Sequence, residues 1–337
     1  MTTISAETIL RSRNAAAPEK VLSTLLLRYP RWIHAEGRTH RLLDVGEDFG
    51  VEVYTPALMD CDDLSRNAGS SRALPVSKMI ADIRRDPAMP IYWGSNQKGM
   101  QATGETNASV LDIFNKTPGA HPGYISREKA WLKGMEQAIA LAEAYAEAGY
   151  HKQIVNRLLE PFSHITVVVS ATEWSNFLAL RDHADAEPHI AMLAREIRQC
   201  LDDESTIQTL RPGEWHLPFV FASDGDRATT WWRNTGTGDY CDFKTGHMEL
   251  CRKLSVARCA STSFKTVDGF DMTLERAIAL HDKLVGSAPL HASPCEHVAQ
   301  ADGYGGLAGF NHWYHREQHG NFVGFRQYRK MLPGECL

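Results

Sequence analysis

The sequence predicts an α+β protein: a central mixed or antiparallel sheet with flanking helices. Residues 165–169 (Ile-Thr-Val-Val-Val) are the clearest β-branched run in the chain, and such side chains favour the pleated conformation. Residues 21–27 form a second short apolar run, stopped by Arg28, Tyr29 and Pro30. Its length suits a buried strand, with a short helix left open by period alone. Amphipathic stretches of helical period lie at residues 126–148 and 188–201.

With 337 residues, 43% hydrophobic and 23% charged, the chain has an ordinary globular composition and enough apolar material for a sizeable core. Net charge is −5, from 36 basic and 41 acidic residues, with no long basic block. A sequence-independent grip on nucleic-acid backbone is therefore not favoured, and any phosphate site must be local. Residues 1–20 carry Arg11, Arg13, Glu19 and Lys20 without an apolar leader, and no uninterrupted apolar run is long enough to span a bilayer. The expectation is a cytoplasmic protein without membrane contact, with residues 1–20 an N-terminal extension and 21–337 a single domain. Seven cysteines (Cys61, Cys200, Cys241, Cys251, Cys259, Cys295, Cys336) are an odd number without CxxC spacing, which fits reduced thiols.

Pro30 opens a helix expected over residues 31–41, which delivers Thr39, His40 and Arg41 at its end and places Glu36 one turn before His40. Residues 44–64 are acidic and read as an insertion, with a small strand or hairpin at 51–55. A helix is expected over 72–85, then a polar loop at 93–99. Ser126 is a good N-cap for the helix running to 148, with Trp131, Met135, Ala138, Ile139, Ala142 and Tyr145 on one stripe and Gly149 at its stop. A second helix buries Ile154, Val155, Leu158 and Leu159 and ends at Pro161, leaving Asn156 and Arg157 at the edge of the packed face and Arg157 half-buried. Ser170 to Glu173 match a capping box opening a helix on which Trp174, Phe177 and Leu178 pack. Asn176 and Arg181, five apart on that helix, point about 140° from each other. Residues 202–256 form an additional irregular region, followed by a helix at 274–285 and the block His291 to His297.

Arg41, Arg66 and Arg72, interleaved with the hydroxyls of Thr39, Ser65, Ser70 and Ser71, are the strongest chemical lead. Planar guanidinium forks and small donors are the kit for holding phosphate and carbonyl oxygens. Cys241, His247, Cys251 and Cys259 are zinc-ligand types without paired-ligand spacing. His312, His315 and His319 have the spacing of one helical face but lack the glutamate of an HExxH site, so a solvated or packed cluster is the reading and no metal is expected. There is no G-x-S-x-G, G-x-G-x-x-G or Walker loop.

At this point several blocks match one pattern. The chain resembles the flavin-dependent thymidylate synthases, whose signature is R-H-R-x-x-S-x-N-E-x-S-x-R. Thr39, His40 and Arg41 stand for its first half, and Ser65, Asn67, Ser70 and Arg72 for its second, split by 44–64. Asn156 to Pro161 is similar to the family's A-R-x-x-L-P element, and Asn176 to Arg181 to its N-F-L-x-L-R helix. Ala260 to Phe264 resembles A-R-V-S-F/Y, and His291 to His297 resembles H-x-[ST]-P-F-E-H. Those two blocks come first in the usual order, and residues 22–30 take the place of the strand that follows them there, so the chain resembles a circular permutation of the family.

The resemblance implies the flavin-dependent thymidylate synthase fold and reductive methylation of a pyrimidine nucleotide, dUMP to dTMP. It implies FAD, NADPH as reductant, methylenetetrahydrofolate as one-carbon donor, and a homotetramer with shared sites. Ser70, Arg72 and Arg157 would hold the phosphate and sugar, Arg181 would face the pyrimidine as the catalytic arginine, and Glu36 would lie near the nucleotide. Thr39, His40, Arg41, Asn67, Asn176, Ser263, His291, Ser293 and Glu296 would line flavin and folate. Three positions depart from the pattern: Thr39 for arginine, Ala68 for glutamate, and Glu36 for glutamine. A carboxylate only accepts hydrogen bonds where glutamine also donates. This keeps dCMP, UMP or a modified pyrimidine open as substrate, and a catalytically inactive flavin- or nucleotide-binding homologue as the other alternative.

Overall fold

The computed structural model describes residues 2–34, 65–68, 74–98, 102–115, 123–221, 243–261, 273–287, 290–306 and 312–335. The chain opens with a long hairpin, β1 (Ser5–Asn14) and β2 (Ala17–Pro30). It continues with β3 (Ser65–Ala68), a two-residue ladder of β4 (Val110–Leu111) with β5 (Tyr124–Ile125), then β6 (His164–Ala171) and β7 (Ile207–Leu210). Five of these build the central sheet in the order β3-β6-β2-β1-β7. β1–β7 is parallel and the other three junctions are antiparallel, so the sheet is mixed, as expected.

Both faces of the sheet are covered. Leu25, Leu27 and Tyr29 of β2, with Ile165, Val167, Val169 and Ala171 of β6, pack under Trp174, Phe177, Ile190, Leu193, Ala194 and Ile197. The alternate residues face the other way: Leu26 and Val168 meet Phe219 and Cys259, and Leu22 meets Phe322 and Phe325. A strand buried on both faces reads as a continuous apolar run, which is why β2 and β6 were visible in the sequence.

β1 was not visible, because its Arg11 and Arg13 gave residues 1–20 the look of an extension; they supply β1 and the start of β2 instead. Arg11 is 4% exposed. Its guanidinium donates to Ser23 Oγ at 3.1 Å and to the carbonyls of Cys200 (3.1 Å), Leu201 (2.9 Å) and Asp203 (2.7 Å). It therefore caps the end of a helix with a cation, where orphan carbonyls need donors.

The helices are α1 (Val76–Arg85), α2 (Arg127–Glu147), α3 (Lys152–Val155), α4 (Ser175–Arg181), α5 (Pro188–Asp202), α6 (Phe243–Ala260) and α7 (Leu274–Val285). α1 to α3 close on their own core of Met79, Ile80, Ile83, Met135, Ile139, Ala142, Val155 and Leu159. Ser126 Oγ accepts from the Lys129 amide at 3.3 Å, as a capping serine should. Tyr145 and Ile154, expected on the buried stripe, are exposed. The capping box at 170–173 does not form: Ser170 and Ala171 belong to β6, and α4 starts after Trp174 without a side-chain cap. Only the 3₁₀ turn Arg31–Ile33 of the helix expected after Pro30 falls in described chain. Residues 243–256, expected irregular, lie in α6, where Leu250, Leu254 and Ala257 recur at helical spacing.

The C-terminal part adds β8 (Trp215–His216), β9 (Ala299–Ala301), β10 (Tyr304–Gly305), β11 (His312–Trp313) and β12 (Phe325–Gln327), with the three-stranded order β12-β9-β8. His312, His315 and His319 share no helix. His315 Nδ1 and His319 Nε2 instead meet the buried Asp302 carboxylate at 2.8 and 3.0 Å. Burial opposes ionisation of Asp302, but hydrogen bonds from His315 and His319 hold it below the usual carboxylate range. Among the described residues no group of three or more His, Cys, Asp or Glu is placed to hold a metal, and no helix is long and apolar enough to cross a membrane.

Candidate functional site

The second half of the arginine-and-hydroxyl signature begins on β3, at the edge of the central sheet. Its register against β6 is antiparallel: Ser65 opposite Ser170, Arg66 opposite Val169, Asn67 opposite Val168 and Ala68 opposite Val167. The 3₁₀ turn Ser293–His297 packs against both β3 and β6. Two blocks more than 200 residues apart in sequence are thus neighbours, joined to β6 by His297 Nδ1 at 2.9 Å from Ser170 Oγ.

A third block is tied to the signature from the other side. Asn156 is fully buried, and its amide donates to the Leu74 carbonyl, two residues beyond Arg72, at 2.9 Å. Arg157 beside it is exposed, not half-buried. The cause is a change of period: α3 passes into the 3₁₀ turn Asn156–Phe162, in which residues three apart share a face. Asn156, Leu159 and Phe162 then point inward, and Arg157 turns to solvent.

α4 leaves from the far end of β6 and carries Asn176 and Arg181, both half-buried. Asp182 follows Arg181 and accepts from Arg198 at 2.8 Å and Arg195 at 3.1 Å, which pins this end of α4 to α5. Those bonds, Arg198 first, hold the Asp182 carboxyl below its ordinary range. The elements bearing Arg157 and Arg181 join β6 at opposite ends, separated by eight extended residues, roughly 25 Å of strand. In the remaining block, His291 and Ser293 are exposed, and Glu296 is half-buried with its carboxylate accepting from Arg329 Nη1.

Glu36, Thr39, His40, Arg41, Ser70, Arg72 and Ser263 lie outside the described residues, and of Asn67 only the backbone is described. Sequence reasoning missed the polar groups beneath the site: Ser12, Thr24, Ser170, His216 and His297, each 0% exposed. The available signal was a lone hydroxyl inside an apolar strand, Thr24 between Leu22 and Leu27 and Ser170 after three valines, since a buried hydroxyl demands a partner. Burial pushes the His216 and His297 imidazoles down to about 3, so both are neutral. Among the described residues His297 Nε2 has no hydrogen-bond partner.

No protein-family model matches the chain, and no curated protein matches it. One solved structure with some similarity is the crystal structure of a UMP/dUMP methylase PolB from Streptomyces cacaoi bound with 5-Br UMP. It is 13% identical, with 61% of this chain and 91% of that chain covered, at a TM-score of 0.38. A likeness of that size assigns this chain neither fold nor activity.

Proposed function

We propose that the chain methylates a pyrimidine nucleotide reductively, dUMP to dTMP, with FAD, NADPH and methylenetetrahydrofolate. The observation that carries the reading is convergence. The signature strand β3 and the turn 293–297, far apart in sequence, are neighbours at one edge of the sheet, Asn156 is tied to Leu74 just beyond the signature, and α4 follows the end of β6.

In this reading Ser70, Arg72 and Arg157 hold the phosphate and sugar. Arg181 lies against the pyrimidine and stabilises charge on its carbonyls as C5 becomes nucleophilic, a preorganised electrostatic role. Of the described part of the flavin set, His291 and Ser293 are exposed and Asn176 is half-buried, and these are the side chains that would hold the flat polar ring. Bound flavin supplies the hydride that completes the methyl group. Because Arg157 and Arg181 leave β6 at opposite ends, the reading includes sites completed between copies of the chain in a homotetramer.

The visible spectrum of the purified protein is the first test, followed by NADPH oxidation with methylenetetrahydrofolate and dUMP, UMP or dCMP. The expected result is a flavin spectrum and nucleotide-dependent oxidation. Protein that is colourless and cannot be loaded with FAD overturns the proposal. A response to dUMP alone excludes an altered pyrimidine choice through Glu36. One observation favours the inactive alternative: Arg157, expected half-buried, is exposed, and a cation left in water carries no burial cost that a bound ligand would have to explain. Flavin-loaded protein that never consumes the folate identifies that case.

A further inference from the structure

Five fully buried side chains form one hydrogen-bond chain through the central sheet. Ser12 Oγ lies 2.7 Å from His216 Nδ1, His216 Nε2 lies 2.8 Å from Thr24 Oγ1, Thr24 Oγ1 lies 2.6 Å from Ser170 Oγ, and Ser170 Oγ lies 2.9 Å from His297 Nδ1. Strand register builds it: Thr24 is opposite Ser170 in β2–β6, and Ser12 is opposite Gln208 in β1–β7. Gln208, exposed at the outer end, donates its side-chain amide to Ser12 Oγ at 3.0 Å.

Proton counting gives this chain a direction. Each hydroxyl and each neutral imidazole carries one mobile proton, while an amide nitrogen only donates. With Gln208 donating to Ser12, the Ser12 proton goes to His216 Nδ1, its one acceptor among the described residues. His216 then donates from Nε2 to Thr24, Thr24 to Ser170, and Ser170 to His297 Nδ1. Run the other way, the Ser12 proton and the His297 Nε2 lone pair are both left over. Run forward, the single leftover is an N–H at His297 Nε2, the atom without a partner. A buried donor left unpaired is costly and uncommon, and calls for a reason.

We propose that His297 Nε2–H is a preset hydrogen-bond donor, aligned by the relay from Gln208, for a carbonyl oxygen of a flat heterocycle bound where β3 meets the 293–297 turn. The inference rests on the function proposed above, which places such rings, uracil or isoalloxazine, at this edge. Preorganisation is the benefit: the tautomer is fixed before the ligand arrives, so no proton rearrangement accompanies binding. Ser12, Thr24, Ser170 and His216 are positioning residues, acting through His297.

The test is a two-bond ¹⁵N–¹H spectrum of histidine-labelled full-length protein, which reads each tautomer directly. The expected result is Nε2–H at both His216 and His297, with the His297 proton moving downfield on addition of dUMP or of FAD, whichever provides the oxygen. Gln208→Leu, at an exposed position, removes the donor that sets the direction. It is expected to raise an Nδ1–H population at His297 and weaken that ligand about tenfold, the worth of roughly one hydrogen bond. An Nδ1–H tautomer in the unmutated protein overturns the inference. So does a ligand that binds by equilibrium dialysis while His297 stays unmoved, and that result leaves the proposed function standing. Failure to bind either dUMP or FAD overturns both.

Discussion

Asn156 shows how one polar side chain ties together two segments distant in sequence. Its amide is the donor for Leu74, at the point where the signature passes into α1, and the group is completely buried. Asn156→Ala leaves the Leu74 carbonyl to find another donor, so we expect a loss of about 1–3 kcal/mol in urea unfolding. On the proposed function a weaker grip on nucleotide should accompany it; a stability change below about 0.5 kcal/mol would count against the role. The exposure of Arg157 next door was not legible in the sequence, because an apolar pattern read at 3.6 residues per turn misplaces side chains once the backbone tightens to three. That Asn176 and Arg181 lie on a helix was legible, since α4 keeps a regular period and is anchored by Trp174 and Phe177.

At the scale of elements, α2, α5 and α7 were readable from amphipathic stripes and caps, whereas β1 and α6 were not. In β1 the obstacle was Arg11, a charge whose partners are carbonyls nearly 190 residues away; no local pattern records such a pairing. In α6 the cysteines and His247 drew attention as ligand types, while Leu250, Leu254 and Ala257 carried the helical message. The stop of α2 offers a clean measurement. Gly149 sits at φ +86 with open space where a Cβ would go, so Gly149→Ala carries a backbone cost and no clash. We expect it to destabilise the protein by about 1–2 kcal/mol, read as a lower melting temperature; an unchanged one would refute the assignment.

At the scale of the molecule, the three described histidines with the largest downward shifts dominate the response to acid. His164 is pushed down to about 4, by burial first and the nearby Arg28 second, and His216 and His297 to about 3. In the unfolded chain each titrates near 6.5. As pH falls through about 6.5 the unfolded state takes up protons that the folded state refuses until about 4 or below, so stability is full above about pH 6.5 and is lost progressively as the pH falls toward about 4. Each group contributes at most about 1.4 kcal/mol per pH unit. The urea midpoint should therefore drop steadily between about pH 6.5 and 4, and a flat profile would show that these imidazoles are charged in the native state. The sheet also sets a schedule for synthesis. β2 finds β1 at once across a tight turn, but its other edge waits for β6: Thr24 and Ser170 are 146 residues apart. Until then the nascent chain presents a long apolar strand edge, the kind of surface that templates pairing with another chain. Correct assembly thus depends on how that edge is shielded while the rest of the polypeptide is being made.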